Sequence, residues 1–203
     1  MADGLAADLA VVDLAEEAAV VAGVAVVADF PAAAPRAGGD MNINRLLRHF
    51  TITHWYVRRI FSTPVLDAVT AQIKQCEALH GGEIRVAIEA DLATRALLRN
   101  QSARSRAIEV FSHLHVWDTH ARNGVLIYVC YADRAIEIIA DRGFEGKVSN
   151  EEWAAICATL QKDFARGEYQ QSLCNAIQSV SHLMARHFPH ADDNELPDRP
   201  VML

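Results

Sequence analysis

The stretch NGVLIYVCYADRAIEIIADRG, residues 123–143, decides how this chain folds. It contains two apolar runs, GVLIYVCY and AIEIIAD, with only ADR between them. Apolar runs of this length predict strands, and such a short connection forces the two strands into an antiparallel hairpin. The first run is almost entirely apolar, which is typical of a central strand that is covered on both faces.

Upstream of the hairpin, the sequence predicts a helix, a strand and a second helix. The stretch STPVLDAVTAQIKQCEALHGG has Thr63 as the N-cap, Pro64 at the first helical position, and a Gly-Gly stop. EIRVAIEA, residues 83–90, alternates apolar and polar side chains, which predicts a strand with one buried face. SARSRAIEVFSHLHV predicts the second helix, with Ser102 as its cap.

Two more helices follow the hairpin. The first begins with Ser149 and Glu152 in capping-box spacing and ends at Gly167, and the second ends before Pro189. A helical crossover allows the first two strands to lie parallel, whereas the third strand is antiparallel. We therefore predict an α/β fold, a three-layer α/β/α sandwich in which helices flank a small mixed β-sheet.

The composition divides the chain into four parts. Residues 1–40 are rich in Ala and Val, and they are either a low-complexity extension or a segment upstream of a true start at Met41. Residues 41–62 form a basic arm, residues 63–189 form the α/β domain, and residues 190–203 form a polar tail that we expect to be loose. The apolar stretch at residues 18–28 is too short to span a bilayer and lacks the basic start of a secretion signal, which predicts a cytoplasmic protein.

Charge and motif content exclude several classes of function. The formal net charge of the 203-residue chain is −7, which argues against a nucleic-acid partner. The four cysteines form no C-x-x-C pair, so we expect buried free thiols. The sequence contains no G-x-S-x-G motif, phosphate-binding glycine loop or H-E-x-x-H motif, so the common hydrolase and nucleotide-binding signatures are absent.

The basic arm supports two interpretations. Its residues 45–61 include no acidic residue, and apolar residues alternate with four arginines, Arg45, Arg48, Arg58 and Arg59. A basic amphipathic stretch can dock on an anionic surface or on a membrane protein. It can equally pack against its own domain, and the sequence leaves both interpretations open.

Polar residues are predicted to converge at one end of the sheet. Because the third strand runs back along the second, Asp141 should lie beside Asn123. If the first strand is parallel to the second, Glu83 begins at the same edge. The loop that leads into the second strand adds Asp118 and His120.

This set of oxygen atoms predicts a divalent-metal site. Carboxylate and amide oxygens are the ligands that calcium and magnesium take in proteins. The predicted ligands are Glu83, Asp118, Asn123 and Asp141. Arg142 would balance the charge of a bound phosphate. In the simpler alternative, Asp141 and Arg142 pair with each other or cap a turn.

These motifs resemble those of the TPM domain family, also called the TPM phosphatase family. The resemblance lies in NGVLIYVCYADRAIEIIADRGFEGKVSNEEW and FARGEYQQSLCNAI, with HGGEIRVAIE matching the first strand, and it spans roughly residues 63–189. It implies an α/β/α sandwich, with divalent-metal binding at the loops beside the sheet. It also implies phosphatase activity on phosphate esters, a label that rests on few members.

Members of the family include a thylakoid-lumen protein of photosystem II repair, described as an acid phosphatase, and membrane-anchored bacterial proteins. This sequence has Ser172 where the family commonly has glycine, and it lacks the signal peptide, transmembrane helix and glycine-rich tail of the anchored members. The resemblance therefore implies a soluble cytoplasmic bacterial branch. The residues themselves also allow a non-catalytic binding module that a metal ion stabilises.

Overall fold

The computed structural model describes residues 25–26, 43–52, 54–190 and 193–203. The strands are β1 (Ala25–Val26), β2 (Glu83–Glu89), β3 (Gly124–Cys130), β4 (Ala135–Ala140) and β5 (Val201–Met202). The helices are α1 (Ile43–Thr51), α2 (His54–Ile60), α3 (Thr63–Glu77), α4 (Thr94–Leu98), α5 (Ala103–His113), α6 (Asn150–Ala165) and α7 (Tyr169–His187). A 3₁₀ turn, Arg142–Phe144, follows β4. Apart from β1, the predicted extension over residues 1–40 lies outside the described residues.

The five strands form one mixed sheet in the order β1-β4-β3-β2-β5. Strands β2 and β3 are parallel, with Glu83 opposite Gly124, and β3 pairs antiparallel with β4 through the short hairpin. The parallel crossover and the antiparallel hairpin are therefore as predicted. Arg134 closes the hairpin turn with a φ of 53°, in the left-handed region that tight turns use.

Helices cover both faces of the sheet. The apolar side chains of α3, α6 and α7 pack on one face, around Ile84, Ile127 and Ile138. Helix α5 packs on the opposite face, around Leu126 and Ile139. These two hydrophobic cores confirm the predicted α/β/α sandwich, since each face of the sheet needs its own apolar cover.

Strand β2 differs from its prediction, because both of its faces are buried. All seven residues are shielded from solvent, including Glu83, Arg85 and Glu89. The polar side chains remain buried because other elements of the chain supply their hydrogen-bond partners. The alternation of apolar and polar residues in β2 therefore distinguishes an apolar from a polar buried environment, and it does not distinguish a buried face from an exposed one.

Two smaller predictions also need correction. Helix α3 has Ser62, not Thr63, at its N-cap position, so the helix begins one residue earlier than expected. The tail is not loose over residues 193–203, because β5 pairs with β2 and Leu196 is buried. The polar composition of the tail did not predict β5, because strands pair through backbone groups whatever the polarity of their side chains.

None of the helices in the described ranges is long and apolar enough to cross a membrane.

Candidate functional site

The ends of β2, β3 and β4 meet as the sequence predicted. Glu83 opens β2 opposite Gly124, and the Asp141 backbone N–H donates to the Gly124 carbonyl at 2.9 Å. Asn123 directly precedes β3, and its carbonyl accepts from the Glu83 N–H at 3.4 Å. The backbones of three predicted ligands therefore lie side by side, although their side chains have different surroundings.

Glu83 already binds the C-terminal segment of the chain. Its two carboxylate oxygens accept the backbone N–H groups of Glu195 and Leu196, at 3.1 and 3.3 Å. Burial raises the pKa of Glu83, the two N–H donors oppose this rise, and the carboxylates of Glu195 and Asp198 add to it. In this arrangement Glu83 serves as an acceptor for backbone amides.

Asn123 and Asp141 are each 1% exposed, and each has one side-chain oxygen with no hydrogen-bond partner among the described residues. Asp141 Oδ1 accepts from the Arg142 N–H at 2.7 Å, whereas Asp141 Oδ2 has no hydrogen bond within the described ranges. Asn123 donates through Nδ2 to the Gly81 carbonyl, and its Oδ1 is similarly unpaired. Burial raises the pKa of Asp141, although Arg142 and Arg122 favour its charged form.

The simpler alternative for Asp141 and Arg142 also describes what the structure contains. The Asp141 side chain caps the 3₁₀ turn through the backbone N–H of Arg142, whose own side chain is exposed. Asp118 and His120 are exposed in the loop before β3, and the His120 N–H donates to the Glu195 carboxylate. Their side chains therefore do not share the buried surroundings of Asn123 and Asp141.

The fit of this set to a metal ion is partial. Buried oxygens without partners, as at Asn123 and Asp141, suit an ion. However, no group of three or more His, Cys, Asp or Glu side chains within the described ranges could hold one. Strand alternation also turns Asn123 towards the face of Val125 and Asp141 towards that of Ile139, so a shared ion would lie beyond the strand ends. Metal binding by the four predicted ligands stays a prediction.

Two glycines allow the chain to close tightly at this end of the sheet. A Cβ atom on Gly124 would lie 2.0 Å from the Val116 carbonyl oxygen, and one on Gly143 would lie 2.2 Å from that of Arg122. Both distances are far below van der Waals contact, so only glycine fits. The N-G and D-R-G motifs therefore have a structural role, because they let residues 116–122 lie against the start of β3 and the 3₁₀ turn.

A partly buried ionic cluster at the opposite end of the sheet was not predicted. Asp133 is the middle residue of the ADR connection between the hairpin strands, where the sequence indicates only a turn. It accepts two hydrogen bonds from Arg45 at 2.9 and 2.7 Å and one from His49 at 2.9 Å. His49 Nδ1 accepts from the Leu92 N–H, so Nε2 carries the proton that bonds Asp133. Burial opposes ionisation of Asp133, but the bonds from Arg45 and His49 outweigh it and hold its pKa well below its usual range.

A second, partly buried ion pair lies at this same end of the sheet. The Glu89 carboxylate accepts from Arg106 Nε and Nη2, at 3.0 and 2.9 Å, and from the Tyr128 hydroxyl. Burial raises the pKa of Tyr128, whereas the hydrogen bond to Glu89 raises that of Arg106. The Glu89 carboxylate thus has hydrogen-bond donors on both of its oxygens, so we interpret the ion pair with Arg106 as structural.

The arm packs on its own domain with one side only. Arg45 and His49 bind Asp133, and Val57 and Phe61 are buried. The other side faces solvent and forms a surface that we call the arm face, which consists of Leu47, Arg48, Phe50, Trp55, Arg58 and Arg59. Four of the seven exposed large hydrophobic residues of the described chain lie in α1 and α2, and Trp55 is 68% exposed.

The sequence was compared with those of known protein families. The sequence profile of the TPM domain matches residues 58–183, which is more than half of the chain. The chain belongs to the TPM domain family. The matched region contains α3, α6, the strands β2, β3 and β4, and all but the last turn of α7. Helix α1 and the C-terminal segment lie outside it. A comparison with curated proteins gave no match.

A solved structure has a similar fold. The TPM domain described here is similar to the NMR structure of the BA42 protein from the psychrophilic bacterium Bizionia argentinensis, with a TM-score of 0.61 and 28% sequence identity. The alignment covers 70% of this chain and 94% of that chain.

Ser172, which departs from the usual TPM pattern, is buried in the first turn of α7. Its hydroxyl donates to the carbonyls of Glu168 and Tyr169, so the hydroxyl is satisfied within the helix. A serine is therefore compatible with the first turn of α7.

Proposed function

We propose that this TPM-domain protein is a binding module that docks through its arm face on an anionic membrane surface. The observation that carries the proposal is the combination of exposed aromatic and arginine side chains on α1 and α2. An acidic protein with a net charge of −7 has here a stretch, residues 41–66, with no acidic residue. We further propose that docking takes place from the cytoplasm, where the membrane leaflet carries anionic lipids.

The charges on this face are available to a partner. Within the described ranges, Arg48 and Arg58 form no ion pair, and all three arginines of the arm face are exposed. The Arg59 guanidinium lies over the Trp55 ring, 5.7 Å from its centroid. A basic residue near an anionic bilayer contributes about 1 kcal/mol of attraction, so three arginines supply a useful part of weak docking.

The apolar residues favour a lipid surface over a folded protein partner. Trp55 and Phe50 project from two short consecutive helices, and tryptophan is enriched at the membrane interface, where one side of the ring is apolar and the other hydrated. The opposite side of each helix is fixed to the domain, through Asp133 for α1 and Val57 for α2. The arm face is therefore held in one orientation, which lowers the entropy lost on docking.

Charge reversal tests this proposal with a matched control. The Arg48→Glu/Arg58→Glu variant should bind vesicles containing phosphatidylglycerol at least ~30-fold more weakly than the wild type, measured by co-sedimentation at low salt. The Arg95→Glu/Arg99→Glu variant changes two exposed arginines, one in α4 and one at its C-cap, and alters the net charge equally, so it should bind as the wild type does. Equal binding by the two variants, or binding to a membrane protein but not to lipid vesicles, would contradict the proposal.

A second candidate function is divalent-metal binding with phosphate-ester hydrolysis. The unpaired, buried Oδ2 of Asp141 favours it, together with the phosphatase label of the family. The proposed ligands are Glu83, Asp118, Asn123 and Asp141, with Arg142 balancing the phosphate charge. A bound ion at such a site would polarise a phosphoryl oxygen and lower the pKa of a water molecule.

Calorimetric titration separates this candidate from the first. The wild type should bind calcium, magnesium or manganese, and Asp141→Asn should lose that binding while it keeps the oxygen that accepts from the Arg142 N–H. Glu145→Gln, an exposed substitution in the turn that follows, should bind as the wild type does. A wild type that binds none of these ions, and that leaves an aryl phosphate uncleaved in their presence, would rule out the second candidate without affecting the first.

A further inference from the structure

The C-terminal segment, residues 193–203, lies along the outer edge of β2, and we call it the strap. It pairs parallel with β2 at Ala87 and Ile88, and the Leu203 N–H donates to the Ile88 carbonyl at 2.9 Å. Without the strap, β2 would be the edge strand of the sheet. An open edge offers a row of backbone donors and acceptors to any extended chain.

The edge of β2 recognises the strap mainly through backbone groups. Glu83 accepts two successive N–H groups, from Glu195 and Leu196, and Arg85 Nη1 donates to the Arg199 carbonyl at 3.4 Å. These contacts need an extended segment in the right register but no particular side chains. Glu83 and Arg85 are 4% and 5% exposed, so both groups are held inside a formed site.

Two side chains of the strap add specificity. The Glu195 carboxylate accepts from the His120 N–H through both oxygens, at 3.1 and 3.0 Å. Leu196 packs into the core beside Val116 and Leu126. An acidic residue followed by an aliphatic residue is therefore the side-chain pattern that fits this end of the groove.

The strap is an imperfect occupant of its own groove. It places the carboxylates of Glu195 and Asp198 near that of Glu83, and these like charges repel each other. Of the ion pairs that hold it, Arg199 with Asp67 is more than half exposed on both sides, and Lys74 with Asp198 spans 3.7 Å. Exposed pairs of this kind contribute little. The strap also lies outside the matched TPM region, whereas β2 and the 117–122 loop lie inside it.

We propose that the edge of β2, with Glu83, Arg85 and the His120 N–H, is a binding groove for an extended peptide segment, and that the chain's own strap fills it in cis. The ligand class is an extended segment with an acidic-aliphatic pair followed by a short aliphatic strand. A partner peptide of this kind would displace the strap by adding its own strand to β2. This proposal is independent of docking through the arm face.

A labelled peptide of strap sequence, residues 193–203, tests the groove in the full-length chain. In the Val201→Asp/Met202→Asp chain, the native β5 is disabled while the groove is unchanged, so this chain should bind the peptide at least tenfold more tightly than the wild type in fluorescence anisotropy. Adding Glu83→Gln to that chain should remove most of the gain. A double variant with native near-ultraviolet circular dichroism that binds no more tightly than the wild type would overturn the proposal.

Hydrogen exchange on the wild-type chain provides a second readout that does not depend on any variant. Excess unlabelled strap peptide should speed deuterium uptake in the protein's own residues 193–203, because it displaces them from β2. A scrambled peptide of the same composition should leave uptake unchanged. Identical uptake with the strap peptide and with the scrambled peptide would overturn the proposal.

Discussion

At the scale of single residues, Glu77 shows how burial couples a carboxylate to the stability of the fold. Glu77 lies at the last position of α3, and its Oε1 accepts from the Ile84 N–H at 2.7 Å. Burial raises the pKa of Glu77 to about 8, the Ile84 N–H lowers it, and repulsion from Glu83 and Asp198 adds to the rise. The protonated acid is therefore favoured in the folded chain.

The pKa of Glu77 gives the sign of its effect on stability. The pKa of Glu77 in the folded chain lies above its usual value of 4.5. The stabilisation of the fold by protonated Glu77 is therefore fully present below pH 4.5 and is lost as the pH rises towards about 8. Glu77→Gln keeps the oxygen that accepts from Ile84 and has no charge, so it should remove this decline. At pH 8 we expect the variant to be roughly 2 kcal/mol more stable than the wild type in urea unfolding.

A matched substitution checks that this effect belongs to the buried site. Glu145→Gln replaces an exposed carboxylate and should leave the pH dependence of the free energy of unfolding unchanged. Parallel pH profiles for the wild type and Glu77→Gln would show that Glu77 is ionised in the folded chain at neutral pH, contrary to our account.

Individual residues also mark the limit of prediction from the sequence. The backbone meeting of Glu83, Asn123 and Asp141 followed from strand order alone. The partners of their side chains did not, because the N–H groups that occupy Glu83 come from residues more than 100 positions away in sequence. Asp133 carried no signal beyond its turn position, since an ion pair with Arg45 depends on how the arm folds back.

At the scale of elements, α1 is held to the β3–β4 hairpin by one carboxylate. Asp133 binds both Arg45 and His49, and Arg45 also donates to the Gln101 carbonyl at 2.7 Å. The side chains of Arg45 and Asp133 are 19% and 10% exposed, so solvent screens this pair weakly. The arm face therefore depends on a partly buried ion pair to stay fixed on the domain.

Removing that charge should loosen the arm. Asp133→Asn leaves Arg45 and His49 without their anionic partner, so we expect a loss of roughly 3 kcal/mol in the free energy of unfolding at pH 7. This contribution should be fully present above the usual Asp pKa of 3.8 and should decline progressively as the pH falls further, because the folded pKa of Asp133 is lowered. Asp67→Asn, in an ion pair more than half exposed, should cost less than ~1 kcal/mol. Equal losses for the two variants would contradict this role of Asp133.

The elements themselves were largely predictable. Periodicity, caps and the short hairpin predicted α3, α5, α6 and α7 and the three central strands, because these signals are local. The edge strand β5 was missed, since two residues paired through their backbones leave no periodic pattern. The burial of β2 was also missed, because α5 and the strap supply its polar partners from distant parts of the sequence.

At the scale of the whole molecule, charge is distributed unevenly. The chain has a net charge of −7, yet the exposed side of the arm carries three arginines beside Trp55 and Phe50. An acidic molecule with one basic, aromatic surface should approach an anionic bilayer in a single orientation, with the arm face leading. Such docking should weaken as salt rises, because surface electrostatics are screened over about 10 Å at 0.1 M ionic strength.

Tryptophan fluorescence with lipid vesicles tests this central claim most directly. Trp55 is 68% exposed, Trp117 is 43% exposed and Trp153 is fully buried, so the three residues report on different places. Phosphatidylglycerol vesicles should shift the emission of the wild type and of Trp117→Phe to shorter wavelength at low salt, and should leave Trp55→Phe unchanged. An unshifted wild type, or an equal shift in Trp55→Phe, would contradict docking through the arm face.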